Sequence, residues 1–310
     1  MRVFICEELI TNLEANISKI KETLSKIDRD NYEAYLIYDF ALFESAFCEA
    51  MRHILSAFPE KISNEKQLSL PTNVIYNNIF SPQVILSSLI DCEIKKLGKG
   101  SLTVLVEAER ICAVKLTYEQ SRLEEISFFR NLLTHENTPS QCEYLFGKQN
   151  CISKHYDIED SKKDITYLLS VLESFSSEMK NKYSKYTKYR LLESLWSTLF
   201  NTPLLKFENC VLIREWETGS DRRKVVGFNF DYIKKASTSI SSGEKFFLSM
   251  LLQQYSTSIN EQYFKFKDIP MLVSIADKKK IYLFLHVMNV YPHLFNGMNM
   301  EEGVSGEQNN

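Results

Sequence analysis

The chain has 310 residues, 44% of them hydrophobic and 25% charged, with a net charge of −3. This composition excludes a fibrous repeat and a wholly disordered chain, and at roughly 100 to 200 residues per domain it predicts two domains. A weakly negative total means that any nucleic-acid partner must be held by a local basic patch, because the overall field is slightly repulsive. Seven cysteines, scattered and odd in number, form no CxxC pair and have no histidine at metal-ligand spacing. They predict reduced thiols in a cytoplasmic protein without a metal site or cofactor. The apolar stretch of MRVFICEELI is too short for a signal-peptide core, and Ile281 to Tyr291 is about half a bilayer span, so neither secretion nor membrane insertion is expected.

From Leu9, the residues Leu13, Ile17, Ile20, Leu24 and Ile27 recur in steps of three and four and predict a first amphipathic helix. A second helix is predicted from Asp30, read as its cap, through an aromatic-rich stretch to a stop before Pro59. Residues 60–81 read as a long connection, Val84 to Leu97 as a shorter helix, and Ser101 to Glu136 as a helical region with a break near Thr117. Pro139 predicts that this region stops at about Asn137. A further long helix is expected from a cap at Asp160 or Ser161 through Tyr189 towards Phe200. Beyond 200 the pattern changes: Cys210 to Trp216 and Lys224 to Phe230 predict a hairpin, followed by a helix over Ser242 to Ser256 and an apolar segment after Asp277. The expected fold class is mainly α, an N-terminal antiparallel helical bundle over 1–200 and a small α+β region with one hairpin over 201–295. Residues 296–310 read as a disordered tail.

The segment RNLLTH, Arg130 to His135, carries the chemistry. On a helix Asn131 and His135 share a face, whereas Arg130 and His135 stand about 140° apart, so one helix cannot close both around a small site. Two copies meeting across a two-fold axis can, which predicts a homodimer with a composite cleft. A guanidinium stays charged and can fork onto a phosphate in a phosphorane-like transition state. An imidazole titrates near neutrality and can protonate a leaving 5′ oxygen or accept a 2′-OH proton. The place of His135 in the last helical turn favours the cation and hence the general-acid role. Asn131 is positioned to orient either group. In a chain of this composition, Arg-Asn followed by His at that spacing arises by chance roughly 0.01 times.

RNLLTH resembles the RNxxxH signature of the HEPN superfamily, whose members include toxins, abortive-infection proteins and CRISPR-associated ribonucleases. The resemblance covers the motif, its place on a late helix and the helical layout of residues 1–200. It implies metal-independent endoribonuclease activity that leaves 2′,3′-cyclic phosphate and 5′-OH ends at a homodimer cleft, with RNA as substrate and an antitoxin or defence-complex protein as partner. It also implies a supporting polar residue on an earlier helix: Glu44 first, Glu49 second. A noncatalytic HEPN-like interaction module is the alternative. The resemblance departs at Asn137, where toxins silenced by an adenylylating antitoxin carry Tyr, and silencing of that kind is not implied here.

Elsewhere, EMKNKYSKYTKYR interleaves lysines with tyrosines and marks Lys182, Lys185, Lys188 and Tyr186 as candidate RNA contacts. A tyrosine stripe packed on the bundle, with solvated lysines, explains the same spacing. Arg222, Arg223 and Lys224 read as a solvated turn. SISSGEKFFLSMLL is similar to the signature segment of ABC-type ATPases, but no GxxxxGK[ST] loop accompanies it, and Ser241 with Glu244 reads as a capping box.

Overall fold

The computed structural model describes residues 4–62, 70, 72–77, 82–97, 101–135, 144–145, 151–152, 156–215, 223–255, 277–291 and 294. The chain is mainly α and divides into two compact units, residues 2–185 and 186–310. The division falls before α8 (Lys188–Leu199), not at residue 200 as expected from the sequence.

In the first unit, α1 (Cys6–Lys26) and α2 (Tyr32–Ala57) are the long helices that the apolar spacing predicts. They run antiparallel, since Thr23 meets Asp39 near one end while Glu8 faces His53 near the other. The cap of α2 differs from expectation. Asn31 precedes the helix and turns its side chain back, accepting from the Asp28 amide and donating to the Lys26 carbonyl, while Asp30 makes no cap. After α3 (Thr72–Asn77) and α4 (Pro82–Leu97), α5 (Ser101–Cys112) and α6 (Gln120–His135) are separate helices, and α7 (Ile158–Tyr183) completes the bundle. The lysine–glutamate pairs Lys180–Glu14 and Lys21–Glu173 show that α7 lies antiparallel to α1. Asp157, not Asp160 or Ser161, caps α7 by accepting from the amides of Glu159 and Asp160.

Helix α2 packs on α1, α4, α5, α6 and α7, which explains its aromatic richness. Phe40, Phe43 and Phe47 are fully buried, and the Phe47 ring lies 4.5 Å from that of Phe175 on α7. Each such ring contributes about 1.5–3 kcal/mol by burial. The short strands β1 (Tyr144–Leu145) and β2 (Cys151–Ile152) pair antiparallel.

The break between α5 and α6 is made by Ala113, whose φ of 53° is left-handed. The freed carbonyls of α5 gather donors from two other segments. Lys61 donates to the Ile111 carbonyl at 2.6 Å, Tyr183 to that of Cys112 at 2.8 Å, and Lys182 to that of Ala113. Cations at a helix C-terminus also answer its dipole. A left-handed alanine costs about 1 kcal/mol relative to glycine, and Ala113 is exposed, so its methyl group contributes no packing. Ala113→Gly is therefore expected to raise stability by about 0.5–1 kcal/mol, read as a higher urea midpoint at unchanged slope. A lower midpoint would contradict this account of the break.

In the second unit, α8 follows a break at 184–187 where one continuous helix was expected. Thr187 caps it by accepting from the Arg190 amide at 3.2 Å. A short helix α9 (Phe207–Cys210) leads into the predicted hairpin, β3 (Val211–Glu215) and β4 (Arg223–Phe228), antiparallel with a register shift between Leu212 and Ile213. Phe230, read as the end of a strand, instead opens α10 (Phe230–Ser237), with Asn229 as its cap. The capping box at the start of α11 (Ser242–Tyr255) is formed as expected, Glu244 accepting from the Ser241 amide at 3.1 Å and donating its own amide to the Ser241 hydroxyl at 3.3 Å. Asp277 caps the last helix, α12 (Lys278–Val290). Trp196, Phe207, Phe228 and Leu251 form the core and line a void that is wholly apolar. The expected disordered tail from Asn296 and the predicted helix end at Asn137 lie outside the described residues.

Candidate active site

Helix α6 buries Leu123, Ile126, Phe129 and Leu133, an apolar stripe that packs it against α2 and α5. Phe129 lies 4.6 Å from the ring of Tyr156, whose hydroxyl donates to Asp164 at 3.0 Å. Burial raises the Tyr156 pKa well above the usual phenol value, so it stays a neutral donor. The stripe fixes the rotation of α6 about its axis. Asn131 and Thr134 are left on the solvent side, and Arg130 sits at the edge of the α2 contact, 25% exposed.

There Arg130 meets Glu44. Its NH2 group donates to Glu44 Oε2 at 3.0 Å, linking residues 86 apart in sequence. The guanidinium carbon also stands 4.6 Å from the ring centroid of Phe40. Phe40 and Glu44 are one turn apart on α2 and share a face, so ring and carboxylate hold the cation from two sides. The Nε atom of Arg130 is buried with no hydrogen-bond partner among the described residues. Leaving such a donor unmet costs about 1–3 kcal/mol, which is a common feature of sites kept for a reason other than stability.

Of the two candidates on an earlier helix, Glu44 contacts Arg130, whereas Glu49 is not among the partners of Arg130. Glu124 and Glu125, close in sequence, do not pair with Arg130 either; Glu124 accepts from Gln120 at 2.9 Å. Asn131 is exposed, and the four-residue step from it puts position 135 on the same face of α6. His135 is the last residue of α6, and its side chain lies outside the described residues. Sequence reasoning missed Phe40, although its four-residue spacing from Glu44 was the available signal.

The candidate RNA contacts are divided between the two units. Lys182 is committed to the Ala113 carbonyl, so its role is to cap α5. Lys185 is exposed at the end of the first unit, whereas Tyr186 and Lys188 are half-buried at the start of the second. Tyr183 and Tyr189 are 5% and 2% exposed and cannot present a ring for stacking. Among the described residues no group of three or more His, Cys, Asp or Glu is placed to hold a metal ion, and no helix is long and apolar enough to cross a membrane.

Fold and site together define a mainly helical, two-unit protein with an arginine–carboxylate–aromatic cluster beside an exposed asparagine at the end of a helix. Comparison with known protein families, with curated proteins and with solved structures returns no match.

Proposed function

We infer that the chain is a metal-independent endoribonuclease of the HEPN type, acting in the cytoplasm as the toxin or effector of a toxin–antitoxin or anti-phage defence system. The observation that carries this reading is the meeting of Arg130 with Glu44, the first candidate for the supporting polar residue that the resemblance implies on an earlier helix. In the reaction the 2′-OH attacks the adjacent phosphorus, the 5′ oxygen leaves, and the products are a 2′,3′-cyclic phosphate and a 5′-OH. Arg130, oriented by Glu44 and Phe40, offers its remaining N–H groups to the phosphoryl oxygens, where charge builds in the transition state. His135 of one copy protonates the leaving oxygen, the neutral His135 of the second copy accepts the 2′-OH proton, and Asn131 orients the substrate or the imidazole. Two copies related by a two-fold axis supply both Arg130 and both His135 to one cleft.

The test is cleavage of cellular RNA by the purified protein in the presence and absence of EDTA, with the cut ends mapped. Chelator-resistant cleavage leaving cyclic phosphate ends is expected. Cleavage abolished by EDTA and restored by magnesium would overturn the mechanism.

A second reading, a noncatalytic HEPN-like module in a defence or toxin–antitoxin complex, is favoured by the same contact seen differently: an Arg130–Glu44 pair ties α6 to α2 whether or not it does chemistry. Absence of RNA cleavage by a folded, dimeric protein would establish that reading.

A further inference from the structure

Charge is unevenly shared between the two units. Residues 186–310 hold 15 Lys and Arg against 13 Asp and Glu, whereas residues 1–185 hold 22 against 27. The first unit therefore carries a net negative charge and the second a slightly positive one, which favours polyanion contacts on the second.

In the second unit two basic segments distant in sequence converge on one ring. Arg190, in the first turn of α8, and Arg223, at the start of β4, place their guanidinium carbons 6.0 and 5.6 Å from the centroid of Tyr189. Tyr189 is pinned against Phe207 at 5.4 Å, so both cations stand on a fixed base. Arg190 is exposed, Arg223 half-buried, and Lys188 lies in the same turn. Among the described residues the buried Tyr189 hydroxyl has no hydrogen-bond partner.

We propose that the surface built on Arg190 and Arg223, with Lys188, binds the phosphate backbone of single-stranded RNA without reading its bases. Guanidinium groups match phosphate in both charge and fork geometry. The buried Tyr189 offers no stacking face, so recognition is of the backbone and not of sequence. The assignment rests on RNA being the substrate.

The test uses the full-length protein and a labelled 2′-O-methyl oligouridylate, which lacks the attacking hydroxyl and cannot be cut. Binding is followed by fluorescence anisotropy over a range of salt. Arg190→Ala with Arg223→Ala is expected to weaken binding about tenfold at low salt and to reduce the log–log salt slope by about 1.4, two phosphate contacts on a single strand. Arg190→Lys with Arg223→Lys should keep most of the affinity. Glu193 accepts from Arg190 at 3.0 Å, so Glu193→Gln is expected to tighten binding by about two- to threefold. Unchanged affinity and slope in the alanine pair, or a parent that binds polyglutamate and not the oligonucleotide, would overturn the proposal. A parent that binds the oligonucleotide yet leaves ordinary RNA intact would keep the proposal and remove the nuclease reading.

Discussion

His135→Ala is expected to lower RNA cleavage by about 10² to 10⁴ while the thermal transition stays within a few degrees of the parent, because the loss of a positioned acid is felt in the transition state alone. Arg130→Ala should lose activity on the same scale, since removing one electrostatic clamp costs about as much. Its stability should fall as well, by about 1–2 kcal/mol, because Glu44 then loses the partner it holds at 3.0 Å and the Phe40 ring its cation. Arg130→Lys keeps the charge but not the fork. It should recover much of the stability and little of the rate, a split that a purely structural arginine would not show. Purified variants compared side by side for cleavage and melting decide the matter. A His135→Ala protein that cleaves like the parent, or that melts far below it, would mean the motif is structural.

The second large effect concerns Asp39, which is fully buried between α1 and α2 and has the Thr23 hydroxyl 2.8 and 2.7 Å from its two carboxylate oxygens. The same hydroxyl stands 2.8 Å from the Ile20 carbonyl. A hydroxyl has one proton, so a neutral Asp39 fits best: the acid donates to Thr23 Oγ1, and Thr23 donates to Ile20. Burial raises the Asp39 pKa to about 7, opposed in part by the Thr23 bond. The folded value lies above the unfolded one of about 3.9. Below pH 4 both states hold the proton and nothing is lost. Between about 4 and 7 the folded state holds a proton that the unfolded state has released, so stability falls as pH rises, by at most about 4 kcal/mol in total, and levels off above 7. Asp39→Asn lacks this slope. It should match or fall below the parent near pH 4 and exceed it near pH 8 by about 1–3 kcal/mol, several degrees of melting temperature. His53, whose pKa is held below its usual value chiefly by burial, adds a slope of opposite sign, common to both proteins and absent from their difference. Parallel melting curves across that pH range would show that Asp39 is ionised in the fold.

Periodicity alone determined the helical class of the chain, the positions of α1, α2 and α11, and the β3–β4 hairpin, because each depends on neighbours within one or two turns of the same segment. The Ser241–Glu244 capping box was legible for that reason, as was the site of RNLLTH on α6, with its Arg–His spacing. Helix ends fared worse. The caps at Asn31 and Asp157, and the breaks at Ala113 and after Tyr183, were misplaced by a few residues or missed, since several polar residues near each end can cap and tertiary contacts choose among them. The carbonyls at the break after α5 are satisfied by Lys61, Lys182 and Tyr183, all remote in sequence, which is why Lys182 read as an RNA contact and serves as a cap. The resemblance implied a polar residue on an earlier helix, but only packing of α6 on α2 could seat Arg130 between Glu44 and Phe40, and only the fold of the second unit could set Arg190 and Arg223 on one tyrosine. Contacts across tens of residues depend on how helices rotate and cross, and that is decided by burial of whole faces at once, not by any local run of the chain.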